Sequence, residues 1–164
     1  MPNYTVSHQC DINEEERTAI AQAIAHVHGS MFSVPMLFVN VTFQPISQSI
    51  CYSGGKRASN TINTVTVYVR NTSRPREQNV ELCRRIEEGW KNAIGPNAGK
   101  EKQLTSIFVL GTIVAGWEQG VMLPEPGHDR DWLRQSFAEF QKRAENGEEE
   151  MKDLVEDIEK RKLI

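Results

Sequence analysis

Apolar residues in this chain alternate between a two-residue and a three-to-four-residue period, and each change of period marks an element boundary. From Pro2 to Gln9 the period is two, with Tyr4, Val6 and His8 on one side and Asn3, Thr5 and Ser7 on the other. That predicts a strand. A helix start follows: Asn13 is a good N-cap, Glu16 three residues on completes a capping box, and Glu14 and Glu15 suit the first turn. Ile20, Ile24 and Val27 hold helical spacing among Ala19, Ala21 and Ala23, with Gly29 as the expected stop. The run from Met36 to Phe43 reads as a strand closed by Pro45. The first third is therefore β-α-β.

After a polar loop, Thr64 to Arg70 is a β-branched strand. A helix spans about Pro75 to Ala93, with Val80, Leu82, Cys83, Ile86 and Trp90 as its apolar positions and Gly95-Pro96 as its stop. Leu104 to Val114 is a strongly apolar strand, so the second portion is β-α-β again. The expected fold class is α+β: tandem β-α-β units forming a four-stranded sheet with two helices on one face. Beyond a turn-rich stretch, Trp132, Leu133, Phe137 and Phe140 predict a docked helix, broken at Asn146-Gly147. Met151, Leu154, Val155 and Ile158 then outline an amphipathic helix with a heavily charged outer face. The reading divides the chain into a domain over residues 1–146 and a charged amphipathic helical tail over 147–164, available for contact with a partner or an oligomer.

Composition narrows the classes. The chain has 164 residues and a net charge of −3, so no basic field points to nucleic acid. No apolar run approaches the roughly 20 residues of a membrane span. The N-terminus lacks the apolar core of a signal peptide. The odd set Cys10, Cys51 and Cys83 has no paired or metal-ligand spacing, which points to free thiols in a reducing cytoplasmic setting, with no metal expected. The segment Ser53-Gly54-Gly55-Lys56-Arg57 lacks the spacing of a phosphate-binding loop.

The residue with the most chemical promise is Pro2. Removal of Met1 would leave a secondary amine heading the first strand, and an α-amino group titrates at about pH 8, within reach of general acid or base work at neutrality. His28 closes the first helix, Arg70 and Arg74 straddle the exit of the third strand, and Glu118 lies five residues ahead of Leu123-Pro124-Glu125-Pro126-Gly127-His128, with Trp132 beyond. Arg76 competes with Arg74 for the second arginine position.

This set resembles the tautomerase superfamily, and within it the cis-3-chloroacrylic acid dehalogenase branch, over roughly residues 2 to 140. The resemblance implies a cofactor-independent enzyme acting on a small carboxylate, assembled as a homotrimer. It implies that Pro2 transfers the proton, that Arg70 and Arg74 hold the substrate carboxylate, that His28 hydrogen-bonds a substrate oxygen, and that Glu118 positions water or substrate. Two departures matter. Three residues, Asn71-Thr72-Ser73, separate the arginines where that family has two, which calls for a one-residue bulge. The stretch Ile107-Phe108-Val109-Leu110-Gly111 carries no tyrosine where the dehalogenase branch has a water-activating one. The expectation is therefore enol–keto proton transfer with Pro2 as general base. The alternatives are hydration, dehalogenation or decarboxylation of a three-carbon unsaturated acid, with Pro2 as acid and Glu118 activating water, and a non-catalytic trimeric binding module.

Overall fold

Two parallel β-α-β units meet along an antiparallel seam. The computed structural model describes residues 2–58, 61–70 and 74–164. β1 (Asn3–His8) leads through α1 (Glu14–Phe32) to β2 (Asn40–Pro45), which pairs parallel with it. A small hairpin, β3 (Tyr52–Ser53) and β4 (Lys56–Arg57), turns on Gly54 and Gly55. Both glycines have positive φ, as the tightest hairpin turns require. β5 (Asn63–Arg70) then leads through α2 (Arg76–Ile94) to β6 (Ser106–Ile113), again parallel, while β1 and β5 run antiparallel. The sheet order is β2-β1-β5-β6. A second hairpin, β7 (Trp117–Glu118) and β8 (Val121–Met122), precedes α3 (Asp129–Glu145) and α4 (Glu149–Arg161).

The two-residue period decides which side of the sheet is covered. Tyr4, Val6, Val65 and Val67 are fully buried toward the helices, whereas Tyr68, Phe108 and Leu110 on the opposite face are exposed. The capping box forms: Asn13 accepts from the Glu16 N–H, and Glu16 Oε2 accepts from the Asn13 N–H. Lys102 closes this corner with an ammonium 2.6 Å from Glu16. The polar end of the seam is knit by Asn63, whose Nδ2 donates to the carbonyls of Glu101 and Gln103 and whose Oδ1 accepts from the Gln9 N–H and the Cys10 thiol.

Three expectations need correction. Gly29 does not stop α1. The helix runs on to Phe32 and ends at Ser33, whose left-handed φ of 53° lets its N–H reach back to the Gly29 carbonyl. Met36 to Phe38 form a 3-10 turn rather than strand, because Pro35 precedes them and the Phe38 and Val39 amides bond locally to Pro35 and Met36. The strand begins only at Asn40. The Ser53–Arg57 loop is itself a hairpin.

The apolar stripe of the tail lies inside the main core. Met151, Leu154 and Ile158 are fully buried in the same cluster as Tyr4, Phe38 and Phe140, and the outer face of α4 is charged and exposed. Phe38, Trp132 and Phe140 pack ring to ring at 5.6 to 6.4 Å, joining α3 to the 3-10 turn. Each buried Met, Leu or Ile contributes on the order of 1.5–3 kcal/mol. Replacing Leu154 by Ala should cost about 2–5 kcal/mol in a urea titration that keeps a single transition. The exposed Lys160→Ala change should stay within about 0.5 kcal/mol.

Candidate active site

The antiparallel seam brings the start of β1 and the end of β5 to one end of the sheet: Asn3 sits opposite Tyr68, so Pro2 and Arg70 emerge together. Pro2 is buried and follows the strand alternation, sharing the helix-facing side with Tyr4. Its carbonyl accepts from the Asn40 N–H at 3.2 Å, which pins the strand start to β2.

Beneath it, the Tyr4 hydroxyl lies 2.6 Å from His28 Nδ1, and the two rings meet edge to face. His28 is buried at 1% exposure, so its charged form is disfavoured. Burial first, then the charges of Arg74, the amino terminus and Arg70, push its pKa down to about 3. Burial likewise raises the Tyr4 hydroxyl well above its ordinary range, with Arg74 opposing. Both groups are neutral at pH 7. Two neutral partners can make this bond in either direction, according to which ring nitrogen of His28 carries the proton.

The arginines converge on the same place by different routes. Arg74 lies with its guanidinium carbon 3.8 Å from the centroid of the Phe32 ring, a cation–π contact. Burial lowers its pKa and Arg70 adds to that, while Asp129 and Tyr4 oppose it. Arg70 is 8% exposed and forks between the Pro124 carbonyl and the Asp129 carboxylate, each at 2.5 Å. A register shift between Val69 and Arg70, where β6 skips Thr112, pairs Arg70 with Ile113. Arg76 is exposed at the start of α2, and His26 is exposed on α1. Met1 and the spacer Asn71-Thr72-Ser73, with the bulge expected there, lie outside the described residues.

Glu118 comes in from the second hairpin. Its Oε1 accepts from Asn40 Nδ2 at 2.5 Å, so one asparagine ties Glu118 to the backbone of Pro2. The turn after Glu118 is made by Gln119 and Gly120, both at positive φ. Arg143 of α3 donates to the Gln119 carbonyl and pairs with Glu148 at the entrance to α4.

Four residues in this neighbourhood were not singled out from sequence as candidates: Tyr4, Phe32, Asn40 and Asp129. Tyr4 had a readable signal, since it stands two residues after Pro2 on the same strand face. Asp129 follows directly on the Leu123–His128 segment, whose Gly127 takes a φ of 91° as the chain turns into α3. That segment puts Asp129 and the Pro124 carbonyl onto Arg70. Among the described residues no group of three or more His, Cys, Asp or Glu side chains is arranged to hold a metal, and no helix is long and apolar enough to cross a membrane.

The depressed pKa of His28 sets a sign for acid stability. Between about pH 6.5 and about pH 3 the unfolded chain holds a proton on this ring and the folded one does not. Acidification through that window therefore destabilises the fold, by at most about 1.4 kcal/mol per pH unit. In nitrogen NMR of histidine-labelled protein His28 should stay neutral at pH 5, and His28→Gln should flatten the loss of stability between pH 6.5 and pH 4.

Residues 1–136 match a family model described as "Putative oxalocrotonate tautomerase enzyme". No curated protein matches the chain in sequence. Among solved structures, N1, a member of the cis-3-chloroacrylic acid dehalogenase family, is similar at a TM-score of 0.63 and 23% identity, over 84% of this chain and 96% of that one. A probable enzyme from the thermophilic fungus Aspergillus fumigatus follows at 0.59 and 24%, over 82% and 94%. FG41 malonate semialdehyde decarboxylase, inhibited by 3-bromopropiolate, is similar at 0.52 and 16%, over 72% and 88%. These likenesses agree on the fold, and the family match spans most of the chain. The chain belongs to the oxalocrotonate tautomerase family, within the tautomerase superfamily of enzymes.

Proposed function

We propose that the protein is a cofactor-independent tautomerase acting on a small 2-keto or enol carboxylic acid, with Pro2, freed by removal of Met1, as the general base. The observation that carries this reading is the meeting of a buried Pro2, the neutral Tyr4–His28 pair and the cations Arg70 and Arg74 at one end of the sheet. Nearby positive charge lowers the pKa of an amine by disfavouring its protonated form. An amine that ordinarily titrates at about pH 8 then spends more of its time as free base at neutrality.

The steps balance without a co-reactant. The Pro2 nitrogen takes the enol hydroxyl proton and leaves an enolate. As the enolate oxygen's electron pair closes the C2 carbonyl, the carbon–carbon π pair takes the proton from the Pro2 ammonium at C3. Guanidinium hydrogen bonds from the arginines hold the carboxylate. With the Tyr4 hydroxyl as donor to Nδ1, the proton of His28 sits on Nε2, and this N–H stabilises negative charge developing on the enol oxygen. The flanking Phe32 ring and the absence of a tyrosine hydroxyl from β6 suit proton transfer better than activation of water.

One observation favours a second reading, hydration, dehalogenation or decarboxylation of a three-carbon unsaturated acid. Asn40 holds the Glu118 carboxylate in a fixed orientation close to the start of β1, as a water-activating group needs. In that chemistry Pro2 stays protonated and acts as the acid.

Assembly as a homotrimer is part of the proposal. Tyr68, Phe108 and Leu110 form an apolar strip on the uncovered face of the sheet, and solved relatives include a fused 4-OT trimer. Light scattering should give three times the 18.6 kDa chain mass, and Phe108→Glu with Leu110→Glu should reduce it to one.

The decisive assay is ketonisation of an aryl enolpyruvate by protein whose intact mass shows Met1 removed. Pro2→Ala should lower kcat/KM by at least about 100-fold. A rate that rises with pH through a single ionisation assigns Pro2 as base; a rate that falls assigns it as acid. No rate above background in either protein would remove the tautomerase reading and leave hydration-type chemistry or a binding module.

A further inference from the structure

The C-terminal end of α1 carries both His28 and Phe32, and although Ser33 and Val34 return their N–H groups to the Gly29 carbonyl, nothing in the helix offsets its negative end. The last carbonyls of any helix lack partners within it, and the helix dipole places negative charge there. The final turn of α1 contains no basic residue to answer that charge. The answer comes from the far end of the chain. Arg161, in the last turn of α4, donates from Nη2 to the Gly29 carbonyl at 2.6 Å and from Nη1 to the Val34 carbonyl at 3.0 Å. Asp157, one turn earlier, lies 3.0 Å from Arg161 Nη1 and accepts from the Met36 N–H at 2.9 Å.

Gly29 takes on a meaning here other than helix termination. A Cβ at this position would stand 3.1 Å from the Val34 carbonyl and 3.4 Å from Arg161 Nη1. The tight approach is to the Val34 carbonyl, one of the two that Arg161 holds, and the guanidinium itself would be in ordinary van der Waals contact with that Cβ. The notch adjoins His28 in sequence, and Phe32, three residues on, is the ring beneath Arg74.

We propose that Arg161 is a positioning residue for the active site: α4, which lies beyond the residues 1–136 of the family match, clamps the end of α1 and so fixes where His28 and the Phe32–Arg74 pair stand. Arg161 touches no reacting atom. It acts through the turn it holds. Two carbonyls received by one planar fork define the angle of that turn, which a single point charge would not. The catalytic part of this inference rests on the tautomerase reading; its structural part does not.

The test uses full-length protein labelled at histidine, with Arg161→Gln, Arg161→Lys, Gly29→Ala and the exposed Lys160→Ala as a control. Spectra are taken well below each variant's melting temperature. Arg161→Gln should shift the His28 ring resonances and leave those of His8, on β1, in place. It should also raise KM for the enol acid through Arg74 and lower kcat through His28, about tenfold together in kcat/KM. Arg161→Lys should recover part of both effects, since charge returns without the fork. Gly29→Ala should reproduce the His28 shift by pushing away the Val34 carbonyl that Arg161 receives, which keeps the test open if Arg161→Gln does not fold. A folded Arg161→Gln or Gly29→Ala protein with unchanged His28 resonances and unchanged kcat/KM would overturn the proposal and leave Arg161 a stabilising residue only. Shifted His28 resonances in a protein whose wild type has no ketonisation rate would remove the tautomerase reading and keep the positioning role.

Discussion

A buried guanidinium must be partnered, and the partners of Arg70 organise this molecule. Taking a charge out of water without compensation costs several kcal/mol. Arg70 is shielded at the end of β5, and its fork is satisfied by a carbonyl and a carboxylate from the turn into α3. That requirement fixes where the chain must go after the second hairpin. With Asp129 drawn onto Arg70, α3 starts at the open end of the sheet and runs back over Phe38, where Trp132 and Phe140 pack. Arg143 then reaches the hairpin turn beside Glu118, and α4 returns to the end of α1. The site and the C-terminal helices are thus consequences of one desolvated charge.

The same pair tempers the field of the site. Arg70 and Arg74 both depress the pKa of His28, and Arg70 depresses that of Arg74. Asp129 works against this, favouring the charged form of Arg74. The carboxylate keeps two neighbouring cations tolerable in a low-dielectric corner while leaving the local potential positive for an anionic substrate. His28 and Tyr4 pass no net charge into this balance, because burial keeps both neutral.

Local rules reached much of this architecture from sequence. The Asn13–Glu16 capping box, the alternation of Tyr4 and Val6, and the Met151–Ile158 stripe were all visible because each depends on residues within a few positions of one another. Errors arose where a distant residue decided the outcome. Gly29 looked like a helix stop, but the helix runs past it, and a side chain there would crowd the Val34 carbonyl that Arg161 holds from the far end of the chain. Met36 to Phe38 have strand-like composition, but Pro35 and the bond from Asp157 draw them into a 3-10 turn. At the site, Pro2, His28, Arg70 and Arg74 were nameable because their residue types announce chemistry. Asn40 and Asp129 are common surface residues whose roles depend on the side chains they meet, and Phe32 reads as ordinary core until Arg74 lies on its face.

The antiparallel seam between two similar units gives the sheet an approximate two-fold axis, and hence two ends of related construction. At one end β1 starts and β5 finishes; at the other β5 starts and β1 finishes. The second end is closed by self-satisfaction: Asn63 engages Gln9, Cys10, Glu101 and Gln103, and Gln9 returns a bond to the Ile62 amide. Polar groups there mostly answer one another, with His8 Nε2 the buried exception among the described residues. Two β-α-β units joined in this way carry rigidity at one end and the candidate chemistry at the other. The end held by Asn63 keeps the strands in register, so substitutions at the Pro2 end need not loosen the sheet.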